Sequence, residues 1–198
     1  AYGHKENGAV FSHMAVMYGN ALYKRGFARA GFCALDSLYR QAADFERSKI
    51  YPGIPEYFSD RGRGMYHYLT GAASWYLMTV LVEMFGVRGD YGDLCFSPKL
   101  LPEQFDRDGR AAVRVRFAGR KLHIVYEQCG GLAYGECRIT VHGSMREGNC
   151  IRREELAAWD EDAVHEIVVQ IPGAEPARNE QELSDTKAMG RENLNVQP

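Results

Sequence analysis

Apolar residues recur at helical spacing in the first part of the chain, and two predicted helices follow from them. The first helix carries two adjacent apolar stripes, which together form a broad face. The stripes are Val10, Met14, Met17 and Ala21, and Phe11, Ala15, Tyr18 and Leu22. Gly26 separates this helix from a second one over residues 27–44. Four apolar residues of the second helix are expected to face inward: Phe32, Leu35, Leu38 and Tyr39.

A third helix is predicted from Gly71 to about Phe85, and Gly86 follows it as a C-terminal glycine would. Residues 47–69, between the second and third helices, lose the helical period and contain several glycines and prolines. A loop of this length inside a compact domain more often has a function than serves only to connect two elements.

From Asp93 onward the apolar period changes from about 3.6 to 2, the spacing of strands with one buried face. The apolar positions alternate with polar ones in three segments: Val113, Val115 and Phe117; Leu122, Ile124 and Tyr126; Cys137, Ile139 and Val141. Residues 167–171 make a last apolar strand, and glycine-containing turns separate the segments. This part predicts an antiparallel β domain of the sandwich type.

The three helices carry apolar faces on more than one side, so they need further helices to pack against. The chain also begins without an initiator Met. We therefore expect an α+β fragment of a longer protein. Its predicted parts are a helical part over residues 1–90 and a β domain over residues 91–173. Residues 174–198 are polar, lack aromatic residues and are expected to form a flexible tail.

Composition and charge exclude several classes of function. The net charge is −2 and basic residues form no stripe, so neither nucleic acid nor a membrane surface is an expected partner. No apolar run reaches the roughly 18 to 20 residues of a membrane-spanning helix. The cysteines show no C-x-x-C pair, which predicts neither a zinc site nor a disulfide framework and favours a cytoplasmic location. The five are Cys33, Cys95, Cys129, Cys137 and Cys150.

The start of the third helix is a candidate anion site. Thr70 is a good N-cap residue, and Gly71, Ala72 and Ala73 form a first turn with almost no side chains. The free N–H groups and the positive end of the helix dipole would then be open to a phosphate or carboxylate. The alternative is an ordinary capped core helix.

The segment from Lys5 to His13 places a cation, a carboxylate and an amide at the start of the first helix, with a histidine one turn later. A histidine can either donate to or accept from a phosphate oxygen near neutral pH. Alternatively, His13 is a core histidine, and Glu6 and Asn7 cap the helix.

The loop from Pro52 to Gly64 combines aromatic residues with Glu56, Asp60, Arg61 and Arg63. Ring faces and charges of this kind line sugar and phosphate pockets, although loop arginines are more commonly solvated charges. No nucleophile triad, P-loop or metalloprotease motif is present, and the Glu56–Asp60 spacing does not assign a glycosidase pair.

Taken in order, three segments resemble glycoside hydrolase family 94, the inverting β-glucoside phosphorylases. They are Lys5-Glu6-Asn7-Gly8-x-x-Phe11-x-His13, Pro55-Glu56-Tyr57 and Tyr68-Leu69-Thr70-Gly71-x-Ala73-Ser74-Trp75. A further segment, residues 85–98, is similar to the segment that connects the helical barrel of the family to its final β domain. The resemblance covers about residues 2–126. The family includes cellobiose, laminaribiose, chitobiose and cellodextrin phosphorylases, and the phosphorylase part of cyclic β-1,2-glucan synthases.

The resemblance implies that the helices are the last ones of an (α/α)6 barrel that binds a β-glucoside and inorganic phosphate. By position in the motifs, it implies phosphate contacts for His13, Thr70 and Gly71. It places Lys5 on the acceptor-sugar side, and we assign Glu6 and Glu56 to substrate binding with it. The family's catalytic Asp and a phosphate-binding Arg have no counterpart in these 198 residues. The chain by itself is therefore expected to be inactive.

The predicted function is that of the C-terminal part of a phosphorylase that forms α-glucose 1-phosphate. The expected partners are a β-linked gluco-oligosaccharide and phosphate, with no cofactor. Family members often form homodimers, so the resemblance implies a homodimer for the parent enzyme, while the sequence itself leaves its oligomeric state open. Two alternatives stay open. One is a non-catalytic carbohydrate-binding or structural module, and the other is a glycoside hydrolase on the same barrel. The loop around Arg61 and Arg63 is closest to the oligoglucan and laminaribiose types, which leaves the linkage unassigned.

Overall fold

A computed structural model of the chain describes residues 2–50, 53–67, 70–132 and 135–173. The fold is mixed α+β, and no closed barrel forms within the described residues. The helices are α1 (Ser12–Lys24), α2 (Ala28–Ala43), α3 (Phe45–Ser48), α4 (Gly71–Met78) and α5 (Arg153–Ala157). A π-helical turn, Thr79–Met84, continues α4, and a 3-10 turn covers Pro102–Gln104. The predicted tail, residues 174–198, lies outside the described residues.

Eleven strands occur among the described residues. The first three are β1 (Val10–Phe11), β2 (Tyr57–Phe58) and β3 (Gly64–Met65). The others are β4 (Val87–Asp90), β5 (Asp93–Phe96), β6 (Arg110–Phe117), β7 (Arg120–Cys129), β8 (Arg138–Val141), β9 (Ser144–Met145), β10 (Cys150–Ile151) and β11 (Val164–Pro172). The described helices include none long and apolar enough to cross a membrane.

Helices α1 and α2 pack closely through glycines. A Cβ at Gly31 would lie 2.6 Å from the Tyr23 ring, and one at Gly19 would lie 3.2 Å from Leu35. The start of α2 thus lies beside the end of α1, which makes the two helices antiparallel. Leu35 is buried with Tyr23, as the predicted inward face of α2 requires.

Several predicted apolar positions of these helices are not in the core. Tyr39 is 54% exposed, so its predicted inward orientation is wrong. The broad face predicted on α1 is also exposed at Met14 and Tyr18, whose exposed fractions are 59% and 63%. The core side of α1 is instead formed around Val16 and Tyr23, because the glycine contacts bring that side against α2.

Helices α1 and α4 run in the same direction. The His13 ring lies against Gly71 at the start of both helices, and Asn20 Nδ2 donates to Thr79 Oγ1 at 3.0 Å farther along. The Thr79 hydroxyl also donates to the Trp75 carbonyl, at 2.7 Å, where the α-helix passes into the π-helical turn. The helical segment ends before Gly86, whose φ is +68°, as predicted.

The long loop predicted between α2 and α4 is built around a β-hairpin. Strand β1 pairs with β2, and β2 pairs with β3, all antiparallel. Gln41 of α2 donates to the Gly62 carbonyl at 2.9 Å and so holds the hairpin tip. This small sheet carries the segment before β2 to the start of α1.

The later strands form a five-stranded sheet in the order β6-β7-β11-β8-β9. Its buried residues are those of the predicted alternation, among them Ile124, Tyr126, Ile139 and Val169. Strand β11 runs parallel to β7, so the expectation of a wholly antiparallel domain is wrong for this pair. A parallel pair needs a long crossover, and the chain between β7 and β11, which includes α5, provides one.

The helical and β halves are in contact. Tyr126 of β7 donates its hydroxyl to the Phe85 carbonyl at 2.7 Å, and Leu100 packs against both hydrophobic clusters. The predicted domain boundary near residue 90 stays a prediction.

The prediction that no disulfide forms is wrong. Cys95 of β5 and Cys150 of β10 lie directly opposite each other in an antiparallel pair and are disulfide-bonded. They are 55 residues apart in sequence, and only the strand pairing brings them together. Because disulfides persist mainly in oxidising compartments, the cytoplasmic location loses the support that it drew from cysteine usage.

Thiol titration is expected to find three free thiols in the unreduced, unfolded chain and five after reduction, because Cys33, Cys129 and Cys137 are free. In the folded chain the exposed Cys33 should react well before Cys137. Burial raises the pKa of the Cys137 thiol to about 11, which keeps it in the unreactive protonated form at pH 8. Five thiols without a reductant would contradict the pairing.

Candidate functional site

Thr70 caps helix α4 as predicted. Its backbone is extended, and its hydroxyl oxygen accepts from the Ala73 N–H at 3.3 Å. The same hydroxyl donates to the Ile54 carbonyl at 3.3 Å, which ties the helix start to the segment before β2. The N–H groups of Gly71 and Ala72 belong to the first turn, where a helix offers no carbonyl partner. The start of α4 therefore presents backbone N–H donors beside the capping hydroxyl of Thr70.

His13 lies directly against Gly71. A Cβ at position 71 would be 3.0 Å from Cε1 of the imidazole and 3.2 Å from Nδ1, so the ring can approach this closely because residue 71 is glycine. Two aromatic side chains are near the ring, with centroid distances of 6.4 Å to Phe11 and 5.9 Å to Trp75. These contacts hold the imidazole at the start of α4.

Two buried polar atoms next to this contact have no hydrogen-bond partner within the described part of the chain. They are Nε2 of His13 and Oγ of Ser12. A buried polar atom left unpaired costs about 1–3 kcal/mol, so a ligand that supplies the missing partner is favoured. An anion has acceptor oxygens to which the Nε2–H group of His13 can donate.

The electrostatics at this point favour an anion. Helices α1 and α4 run in parallel, and their N-terminal ends lie side by side at His13 and Gly71. Each helix start carries about half a positive charge from its peptide dipoles. An oxyanion bound here would receive backbone N–H donors and two favourable dipole ends.

The sugar-side residues predicted from the sequence form a second group. Lys5 Nζ lies 3.7 Å from the Glu56 carboxylate and 5.2 Å from the centre of the Tyr66 ring. Both charged side chains are partly exposed, so they remain accessible to a ligand. A hydrogen bond of 3.1 Å between His4 Nδ1 and the Tyr57 hydroxyl continues the same surface.

One short segment joins the two groups. The Ile54 carbonyl accepts from Thr70, and the Glu56 carbonyl accepts from the Ser12 N–H at 2.9 Å. The Glu56 side chain meanwhile contacts Lys5. His13, Thr70, Gly71, Lys5 and Glu56 are therefore all connected through residues 54–56. Glu6 is exposed in the turn between His4 and Asn7, and none of the contacts among the described residues joins it to the other five.

The hairpin tip holds the remaining loop candidates. Arg61 and Arg63 are exposed, and their backbone N–H groups donate to the Ser59 hydroxyl, both at 3.3 Å. Asp60, also exposed, lies beside Gly3. These positions agree with the interpretation of solvated loop charges.

Sequence reasoning did not single out Ser12 or Tyr66 as site residues. Neither belongs to the matched positions of the three motifs. Ser12 directly precedes His13, and the pairing of β2 with β3 brings Tyr66 to the site. Within the described ranges no three His, Cys, Asp or Glu side chains are grouped to hold a metal ion. Comparison of the chain with models of known protein families gives no match, and comparison with curated protein sequences gives none either.

Proposed function

We propose that the chain is the C-terminal part of an inverting β-glucoside phosphorylase, which contributes part of the phosphate site and part of the acceptor-sugar site. The observation that carries the proposal is the His13 imidazole, packed on Gly71 at the common start of two parallel helices with its Nε2 unpaired. Two dipole ends, a cluster of backbone donors and a histidine suit inorganic phosphate.

In this proposal the phosphate is the nucleophile. The helix donors and His13 hold it so that one phosphate oxygen attacks the anomeric carbon while the glycosidic bond breaks on the opposite face. The leaving sugar oxygen takes a proton from a carboxylic acid of the preceding part of the polypeptide, and the product is an α-sugar 1-phosphate. Positioning and charge stabilisation are then the contributions of this chain, since phosphate needs no base to activate it.

The helix arrangement supports a place in an (α/α)6 barrel. In such a barrel the inner helices are mutually parallel, and each is followed by an antiparallel outer helix. Helices α1 and α4 would be inner helices and α2 an outer one. The exposed face of α1 with Met14 and Tyr18 would then be covered by other helices of the barrel, which removes a large apolar surface from water.

Lys5 and Glu56 are the proposed contacts of the acceptor sugar. An ammonium donates hydrogen bonds and a carboxylate accepts them, so the pair suits adjacent hydroxyl groups of a glucose unit. Their connection to His13 and Gly71 through residues 54–56 supports neighbouring sites for a sugar and an anion, as a phosphorolysis requires.

Phosphate titration followed by NMR tests the proposal. Phosphate up to roughly 50 mM, enough to saturate a millimolar site, is expected to shift the imidazole signals of His13 and the amide signals of Gly71 and Ala72. Replacing His13 by alanine should weaken phosphate binding by at least about tenfold, because the packed donor is lost. His123→Ala, a partly exposed histidine of strand β7, is the matched control and should leave the affinity unchanged.

Two results would contradict the proposal. One is that phosphate leaves the signals of His13 and Gly71 unmoved. The other is that His13→Ala and His123→Ala bind phosphate equally well. Sulfate, of similar shape and charge, should compete at the same signals, whereas chloride at equal ionic strength should not.

A further inference from the structure

We infer that Tyr66 is the platform on which the acceptor sugar stacks, and that it helps to determine which sugar the site accepts. This inference rests on the proposed function and goes beyond it, since Tyr66 is not among the residues that the motifs assign. The ligand class is a β-linked glucoside, presented with the C–H face of one ring toward the tyrosine.

The backbone of Tyr66 is in the left-handed region, with φ of +52°, where tyrosine is rarely found. The other described non-glycine residues with positive φ all lie in turns or at a helix end. They are Lys5 in the His4–Asn7 turn, Lys49 at the end of α3, and Tyr91, Ala118 and His142, each followed by a positive-φ glycine. Tyr66 instead directly follows strand β3, and its carbonyl accepts from the Glu56 N–H at 2.9 Å.

A strained backbone of this kind persists where the surrounding structure enforces it, and such residues cluster at binding sites. A glycine would adopt the same backbone angle without strain. The tyrosine side chain therefore needs a reason to be at this position, and burial does not provide one because Tyr66 is 51% exposed.

The surroundings of the ring point to a sugar. Lys5 Nζ lies 5.2 Å from the ring centre, and Lys5 also contacts the Glu56 carboxylate. The Tyr57 ring, buried and 6.0 Å away, supports Tyr66 from the protein side. Lys5 Nζ lies over this half-exposed ring, so a sugar that contacts the tyrosine also meets one donor and one acceptor. This combination matches a pyranose, which has an apolar C–H face and hydroxyl groups around its edge.

The test compares three variants of the chain in titrations with cellobiose and laminaribiose, again up to roughly 50 mM. Tyr66→Gly is expected to weaken binding of at least one disaccharide by about fivefold or more, the loss that a stacking contact accounts for. Tyr66→Phe keeps the ring and should bind within about twofold of the unaltered chain. Tyr91→Gly is the matched control, because Tyr91 is also an exposed tyrosine at positive φ, and it should leave sugar binding unchanged.

Thermal unfolding separates a binding role from a structural one. Both glycine variants relieve backbone strain, and Tyr66→Gly also loses the ring contacts with Tyr57 and Lys5, so its melting temperature should fall by no more than roughly 2 to 4 °C. Unchanged sugar binding in Tyr66→Gly would overturn the inference, as would a larger drop in its melting temperature with no drop in Tyr91→Gly.

The phosphate signals of His13 distinguish the two proposals in the same samples. If phosphate still shifts His13 but neither disaccharide binds the unaltered chain, the sugar platform is refuted and the phosphate site stands. If phosphate shifts nothing, the proposed function itself fails.

Discussion

Gly86→Ala is expected to lower the melting temperature of the chain by roughly 10 °C or more, or to prevent folding. A Cβ at residue 86 would lie 2.1 Å from the Ser97 carbonyl carbon and 2.3 Å from the Pro98 nitrogen. These are backbone atoms, so no side-chain rotation relieves the overlap. Alanine would also be strained at the φ of +68° that this position requires.

The surrounding hydrogen bonds explain why the backbone cannot move aside. The Ser97 N–H donates to the Gly86 carbonyl at 2.9 Å, and the Lys99 N–H donates to the Met84 carbonyl at 2.9 Å. The neighbouring Phe85 carbonyl accepts from the buried Tyr126 hydroxyl. Overlap and strain together should cost more than about 4 kcal/mol, a large share of the stability of a typical domain.

Gly119→Ala is the matched control for this substitution. Gly119 has φ of +82° but open space where a Cβ would be, so alanine there carries the backbone strain without the overlap. It should cost about 1 kcal/mol, or roughly 2 to 4 °C in a chain of this size. Equal losses in the two variants, measured by thermal and urea unfolding, would contradict the role assigned to the Gly86 contact.

Local patterns predicted most of the fold elements. Helix α2 and strands β6 and β7 follow from their apolar periods, because each buries one face against a neighbour. The parallel pairing of β11 with β7 depends on the path of the chain between them, which no local pattern contains. The core side of α1 was not predicted either, since two glycines rather than the largest apolar residues determine where α2 packs.

The candidate site was predictable in part. The helix start at Thr70 and Gly71 follows from capping chemistry, and the resemblance named His13, although His13 and Thr70 are 57 positions apart in the sequence. That the imidazole lies against Gly71 depends on the parallel packing of α1 and α4. Tyr66 could not have been found, because its left-handed backbone is a property of the folded hairpin. The Cys95–Cys150 disulfide was missed for a related reason, since it depends on strand pairing.

Glu83→Ala is expected to destabilise the chain by roughly 3 kcal/mol, the loss typical of breaking a buried ion pair from one side. The Glu83 side chain is 1% exposed, and its Oε2 contacts Arg88 Nη2 at 2.6 Å and Lys99 Nζ at 2.9 Å. Lys99 is itself only 17% exposed. Removing the carboxylate leaves a poorly hydrated ammonium without a counter-charge, whereas the more exposed Arg88 can return to water.

Glu154→Ala provides the comparison for an ion pair at the surface. Glu154 contacts Arg153 at 2.7 Å, a distance similar to that of the Glu83 pairs, but both side chains of this pair are mostly exposed. Its loss should have little effect on stability, because water and dissolved ions screen an exposed pair. Burial rather than distance therefore accounts for the expected difference between the two variants. Urea unfolding that gives equal losses would show that the Glu83 cluster is solvated in solution.

The isosteric variant Glu83→Gln separates charge from shape. Glutamine has nearly the same size as glutamate and keeps an oxygen that can accept from Lys99 or Arg88. No cavity or steric overlap arises, so the measured loss of unfolding free energy reports the charge alone. We expect its loss to lie between those of Glu83→Ala and Glu154→Ala. Arg88 belongs to β4 and Glu83 to the π-helical turn. The same measurement therefore reports how much this ion pair contributes to the contact between the helical half and the strands that follow it.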